Sequence, residues 1–74
     1  MKNNAHISIK LADLLEILDA RKTVNIFINE NKSVKFGLVY EVLTDKDFIA
    51  ACGGKSVIGI SGIIGYINIL IEEG

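Results

Sequence analysis

Leu11, Leu14, Leu15 and Leu18 recur at intervals of three and four, with Asp13, Glu16 and Asp19 between them. Apolar residues at that spacing share one side of a helix. The pattern therefore predicts an amphipathic helix over about Leu11 to Asp19. Ile7 and Ile9 precede it and suit either a short strand or a contact with its first turn. The period then switches to two. In Thr23-Val24-Asn25-Ile26-Phe27-Ile28, Val24, Ile26 and Ile28 fall on one side, Asn25 and Phe27 on the other. Asn29-Glu30-Asn31-Lys32 is a polar turn, and Ser33 to Tyr40 reads as the returning strand of a hairpin.

Thr44-Asp45-Lys46-Asp47 opens a second, shorter helix. Thr44 is placed to cap it, and Asp45 and Asp47 suit the positive end of its dipole. Phe48, Ala51 and Cys52 give it an apolar side, and Gly53-Gly54 stops it. Lys55 to Glu73 is apolar and interrupted by Gly59, Gly62 and Gly65. Ser61-Gly62 is the favoured turn between two β-branched runs, which makes this segment a closing hairpin. The fold class expected is α+β, as a single small domain over residues 1–74. An N-terminal amphipathic helix packs on a small antiparallel sheet of two hairpins, with a short second helix between them.

With the turn at Ser61-Gly62, one face of the closing hairpin carries Ile58, Ile60, Ile63, Ile67, Ile69 and Ile71, enough to receive the leucine stripe. The other face carries Lys55, Val57, Gly59, Ile64, Tyr66, Asn68 and Leu70. That face is too apolar for solvent and needs cover, from a second chain or from the short helix. The expected oligomer interface is Val57, Ile64, Tyr66 and Leu70.

Composition changes this picture in one respect. Half of the 74 residues are hydrophobic, and a chain of this size has little interior in which to hide them. A homo-oligomer is the expected outlet. The 8 basic and 9 acidic residues balance to a formal charge of −1. That excludes a polybasic nucleic-acid binder and an acidic mimic of DNA. The single cysteine, Cys52, cannot close an internal disulfide, and with the single histidine, His6, it cannot build a zinc site within one chain. No cofactor is expected. The uncharged stretch Ser56 to Ile71 is shorter than the ~20 residues of a helical membrane span and is broken by glycines. No signal-peptide core follows Met1, so a cytoplasmic, non-membrane protein is expected.

Gly53-Gly54-Lys55-Ser56 is the most suggestive string. Glycine-rich backbone can offer several N–H groups to a phosphate, with charge from Lys55 and a hydroxyl from Ser56. It resembles the tail of a Walker A loop, but Ile49 stands where the pattern requires its first glycine. The alternative is a helix C-cap followed by a strand start. Lys55, Tyr66 and Asn68 fall on one face, where they could hold a phosphate, stack on a base and read its edge. The candidate ligand site is therefore Gly53, Gly54, Lys55, Ser56, Tyr66 and Asn68. The same three side chains would equally serve as the polar rim of a subunit interface.

Catalysis finds little support. His6 has no carboxylate at a useful spacing. Cys52 lies near a helix C-terminus, a place that disfavours an activated thiolate nucleophile. Glu41, Asp45 and Asp47 are a poor divalent-ion set, with Lys46 between the aspartates. Arg21, Lys22, Lys32 and Lys35 surround the first hairpin with Phe27 and Phe36, a combination that can bind single-stranded nucleic acid. Asp19, Glu30 and Glu41 dilute that patch, and Phe36 alternates with Val34, which assigns it to the core.

The run Ile-x-Ile-x-Leu-x-x-Leu-Leu-x-x-Leu from Ile7 to Leu18, followed by Thr23 to Ile28, resembles small accessory proteins of phages and prophages of Gram-positive bacteria. The likeness covers the first half of the chain and is a pattern of residue types. That class includes inhibitors of bacterial defence, some blocking an effector protein and others oligomerising to sequester nucleotide signals. Together with the surplus apolar face and the lack of catalytic residues, the expectation is a non-catalytic, homo-oligomeric binding protein of phage type that sequesters a ligand and so inhibits a host defence process. Its small anionic or nucleotide ligand would sit between subunits. The rival expectation is an inhibitor or adaptor that grips a bacterial protein through the first hairpin and the Arg21-Lys22 turn. Nucleic-acid binding, which would be steeply salt-dependent, is the least favoured.

Overall fold

The computed structural model describes residues 9–29, 31–63 and 65–73. His6, Ile7, Glu30 and Ile64 lie outside them, as does the side chain of Ile63. The elements follow in the order α1 (Leu11–Ile17), β1 (Thr23–Asn29), β2 (Lys32–Leu38), α2 (Val39–Thr44), α3 (Lys46–Cys52), β3 (Val57–Ile63) and β4 (Tyr66–Ile71). The fold is α+β, with the N-terminal helix packed on a four-stranded sheet.

The sheet order is β2-β1-β4-β3. Each hairpin is antiparallel, but β1 and β4 lie side by side in parallel, Val24 beside Ile67 and Ile26 beside Ile69. The sheet is therefore mixed and not purely antiparallel. The parallel pair fits the sequence: β1 and β4 are the two strands with clean alternation of β-branched residues. As centre strands they bury Val24, Ile26, Ile69 and Ile71 completely. Over that side lie Leu11, Leu14 and Leu15 of α1, Val39 and Val42 of α2, and Cys52 of α3. Every helix sits on this one side. Among the described residues no helix is long and apolar enough to cross a membrane.

Helix α1 ends at Ile17, earlier than the leucine spacing predicts. The Asp19 carboxylate accepts the Arg21 N–H (2.9 Å) and the Asp19 carbonyl accepts the Lys22 N–H (2.9 Å). An aspartate that turns the backbone on itself competes with helix continuation. Two short helices, not one, join the hairpins. Val39 and Tyr40, expected in the return strand, open α2, where the Glu41 carboxylate accepts the Leu38 N–H (3.0 Å). Thr44 closes α2 by donating its hydroxyl to the Tyr40 carbonyl (2.9 Å). Asp45, one residue later than expected, caps α3 by accepting the Phe48 N–H (3.1 Å).

The closing hairpin turns between Ile63 and Tyr66, which pair with each other, and not at Ser61-Gly62. Gly65 has φ +101°, a conformation that glycine reaches without strain. Ile60 then pairs with Ile69 and Gly59 with Leu70, while a register irregularity between Val57 and Gly59 brings Val57 opposite Ile71. Ile58 and Ile60, expected in the core, lie on the helix side yet remain 61% and 56% exposed. They belong to the outermost strand, beyond the reach of the helices.

Candidate functional site

The side of the sheet without helices collects the residues that the core excludes. From β1 it carries Asn25 and Phe27, and from β4 Tyr66, Asn68 and Leu70. Register adds Ser33 and Phe36 of β2 and Gly59 and Ser61 of β3. None of these is a carboxylate, ammonium or guanidinium, although 23% of the chain is charged. The Phe36 and Tyr66 rings meet edge to face, their centroids 5.8 Å apart and their planes at 70°. The Ser33 hydroxyl donates to the Asn25 side-chain oxygen across the first hairpin.

Phe36 is 60% exposed on this face and is not a core residue. The cause is the register irregularity between Ile26 and Phe27, which pairs Ile26 with Lys35 but Phe27 with Ser33. Such a bulge re-aims the side chains that follow it. Val34 packs against the core and Lys35 reaches over the helix side, to the Asp45 carboxylate and within 5.9 Å of the Phe48 ring centroid.

Within the helix-free face lies a pocket of about 390 Å³, lined by Phe27, Gly59, Ile60, Ser61, Asn68 and Leu70. That volume is within the ~300–1,000 Å³ of small-molecule sites. Phe27 and Leu70 supply its apolar walls. Gly59 leaves space against Leu70, whose Cβ would lie 3.6 Å from any Cβ at that position. Asn68 and Ser61 are its polar members. No described residue hydrogen-bonds the Asn68 amide, which offers both a donor and an acceptor.

Gly53 to Ser56 occupy a different part of the molecule. The Gly53 and Lys55 carbonyls accept the Ala12 and Leu11 N–H groups of α1 (3.0 and 2.9 Å). Lys10 offers no side-chain cap, so this loop satisfies the start of that helix. The Gly53 and Lys55 N–H groups donate to the Ile49 and Cys52 carbonyls (2.8 and 3.0 Å). The Ser56 N–H donates to the Glu72 carboxylate (3.2 Å), and the Lys55 ammonium to the Glu73 carbonyl (3.1 Å). Gly53 is buried, and a Cβ there would lie 2.6 Å from the Ile49 carbonyl oxygen and 3.3 Å from the Ala12 Cβ. Glycine is required at this close approach of α3 to α1.

The six sequence-predicted ligand residues thus divide. Tyr66 and Asn68 stand together on the helix-free face. Lys55 and Ser56 lie beyond the Val57–Ile71 pair, at the other end of the closing hairpin. Ile71 lies five positions from Tyr66, roughly 17 Å along an extended strand. Of the expected interface, Tyr66 and Leu70 are half-buried on the helix-free face. Val57 packs against the core instead, because the irregularity at Ile58 turns it inward. The short helices do not cross the face that carries Tyr66 and Leu70.

Sequence reasoning missed that Phe27 joins Asn68 and Leu70 around one pocket, with Phe27 beside Leu70 and Asn25 beside Asn68. Its signal was the polar and aromatic set Asn25, Phe27, Tyr66, Asn68 and Leu70 at alternate positions of two strands. Nothing local in the sequence makes those strands neighbours. The remaining candidates are engaged elsewhere. Cys52 is buried in the core and free. Hydrogen bonding from the Lys35 ammonium, then from the Phe48 N–H, holds the Asp45 carboxyl below its usual 3.8. Among the described residues no three His, Cys, Asp or Glu side chains gather where they could hold a metal ion. Comparison with known protein families, characterised sequences and solved structures found no match.

Proposed function

We propose that this chain is a non-catalytic binding protein, working as a homo-oligomer, and that the helix-free face of its sheet is the working surface. The observation that carries this reading is an aromatic face, uncharged along its two central strands, with a pocket of about 390 Å³. The ligand is a small planar ring of nucleobase size. Phe27 and Leu70 flank it, and the Asn68 amide and the Ser61 hydroxyl pair with its polar edge. Among the described residues no cation lines the pocket, so the ring and not a phosphate supplies the affinity. A phosphate on such a ligand would extend away from the site into solvent. Acting as a sink for a ring-bearing signal, a phage-type protein of this size would inhibit a host defence process without chemistry of its own.

Calorimetric titration with nucleosides and their 5′-phosphates tests the reading. Both should bind with similar affinity. Asn68→Ala should weaken both by about three- to tenfold, the worth of one hydrogen bond, and Lys55→Ala should leave both unchanged. Absence of binding, or binding that needs the phosphate and fails in Lys55→Ala, overturns it.

One observation favours a second reading. Phe36 stands 60% exposed beside Tyr66, outside the pocket and toward the first hairpin. A protein partner gripping that hairpin would bury the pair, since aromatic side chains anchor interfaces. In that case Phe36→Ala abolishes retention of a bacterial partner and leaves nucleoside binding intact.

A further inference from the structure

Strand β3 carries a glycine in its interior, Gly59, paired with Leu70. Glycine weakens a strand, because it has no side chain to pack and loses the most backbone freedom on folding. Three needs account for such a residue: a left-handed backbone, a close approach of other backbone, or a ligand. The first does not apply. Among the described residues the glycine with positive φ is Gly65, so the irregularity between Val57 and Gly59 requires no left-handed residue. The second does not apply either. Among the described residues a Cβ at position 59 would meet only the Leu70 side chain, at 3.6 and 3.8 Å, which is ordinary van der Waals contact. Gly53 shows the contrast, since a Cβ there would stand 2.6 Å from the Ile49 carbonyl oxygen.

The third need fits the position. Gly59 lines the pocket of the helix-free face. Register sets Phe27, Leu70 and Gly59 in one row across β1, β4 and β3, and Asn68 beside Ser61 in the next. The first row therefore runs from an aromatic side chain through an aliphatic one to none, and the two polar side chains stand next to the gap. We propose that Gly59 is a specificity-determining residue of this pocket. Its missing side chain is the seat of the ligand ring, which lies flat over the Gly59 backbone and against Leu70, with its polar edge turned to Asn68 and Ser61. This assignment rests on the reading of the pocket as a site of nucleobase size. A Cβ at position 59 would stand in the place of the ring, yet the fold has room for it.

Calorimetric titration of wild type, Gly59→Ala and Gly62→Ala with adenosine, guanosine, cytidine and uridine tests it, together with thermal unfolding of each unliganded chain. Gly59→Ala should bind every nucleoside that wild type binds at least about fivefold more weakly, the effect of one methyl group forced into a filled site. Its unliganded Tm should be unchanged or raised by up to about 8 °C, because alanine loses less backbone freedom in the strand. Gly62→Ala, in the same strand but outside the pocket and with nothing within 4 Å of its Cβ, should leave binding unchanged. Binding by Gly59→Ala equal to wild type overturns the assignment and leaves the reading of the pocket standing. A lowered Tm alongside lost binding means that the fold itself needs glycine at this position, and overturns it as well. If wild type binds none of the four nucleosides, the reading of the pocket fails and the assignment falls with it.

Discussion

Ile69 and Leu70 are neighbours in β4 that point to opposite sides of the sheet, and truncating each to alanine should have very different consequences. Ile69 is completely buried between Ile26 of β1, Ile60 of β3 and the helix layer. Ile69→Ala removes three carbons from a close-packed site. At about 0.8 kcal/mol per carbon the transfer loss alone is about 2.4 kcal/mol, and the cavity brings the total to about 2–5 kcal/mol. A chain of 74 residues holds roughly 4–11 kcal/mol in all. A loss near 3 kcal/mol therefore lowers Tm by about 12–24 °C at the sensitivity of a domain this small. Leu70 is half-buried on the helix-free face, and Leu70→Ala should cost about 1 kcal/mol. Thermal unfolding followed by circular dichroism in dilute solution separates the two. If Leu70→Ala lowers Tm as far as Ile69→Ala at low concentration, the face is covered within the chain and is not a free binding surface.

Four further outcomes follow from local geometry. Gly53→Ala should cost about 1–3 kcal/mol by overpacking against the Ile49 carbonyl and Ala12. Gly54→Ala, with nothing within 4 Å, should stay within about 0.5 kcal/mol in the same urea titration. Gly65→Ala forces an L-residue to φ +101° and should cost about 1–2 kcal/mol in that assay, whatever the space around it. Asp45 titrates below 3.8 in the fold, so its pairing stabilises the chain at pH values above that and fades as the pH falls further. The stability difference between wild type and Asp45→Asn, measured by urea unfolding, should therefore be constant near neutrality and shrink below about pH 4.

Much of the layout was legible in the chain itself. The leucine stripe of α1, the alternation of β1, and the division of β4 into Ile67, Ile69, Ile71 and Tyr66, Asn68, Leu70 follow from periods of 3.6 and 2. The α+β class and the succession of helix, hairpin, helical link and hairpin follow from those periods, though not the split of that link into α2 and α3. The turn of the closing hairpin was not legible. Gly59, Gly62 and Gly65 recur every third residue, and each offers a turn of similar local quality. Only the parallel match of β4 to β1 selects the one at Gly65, and that match is a contact between residues more than forty positions apart. Phe36 was misassigned for a related reason: a bulge shifts side chains between faces without a mark in the sequence. The ligand grouping of Lys55 with Tyr66 and Asn68 assumed an unbroken strand. The irregularity at Ile58 breaks it. What alternation does predict is a second, uncharged face on the two central strands, and that is where the pocket lies.

The central claim is that the helix-free face binds the ligand, and NMR titration of the ¹⁵N-labelled chain with a nucleoside monophosphate tests it most directly. The account predicts amide shift changes centred on Phe27, Gly59, Ser61, Asn68 and Leu70, with Gly53, Gly54, Lys55 and Ser56 unmoved. Changes confined to Gly53–Ser56, or no changes at millimolar ligand, would contradict it.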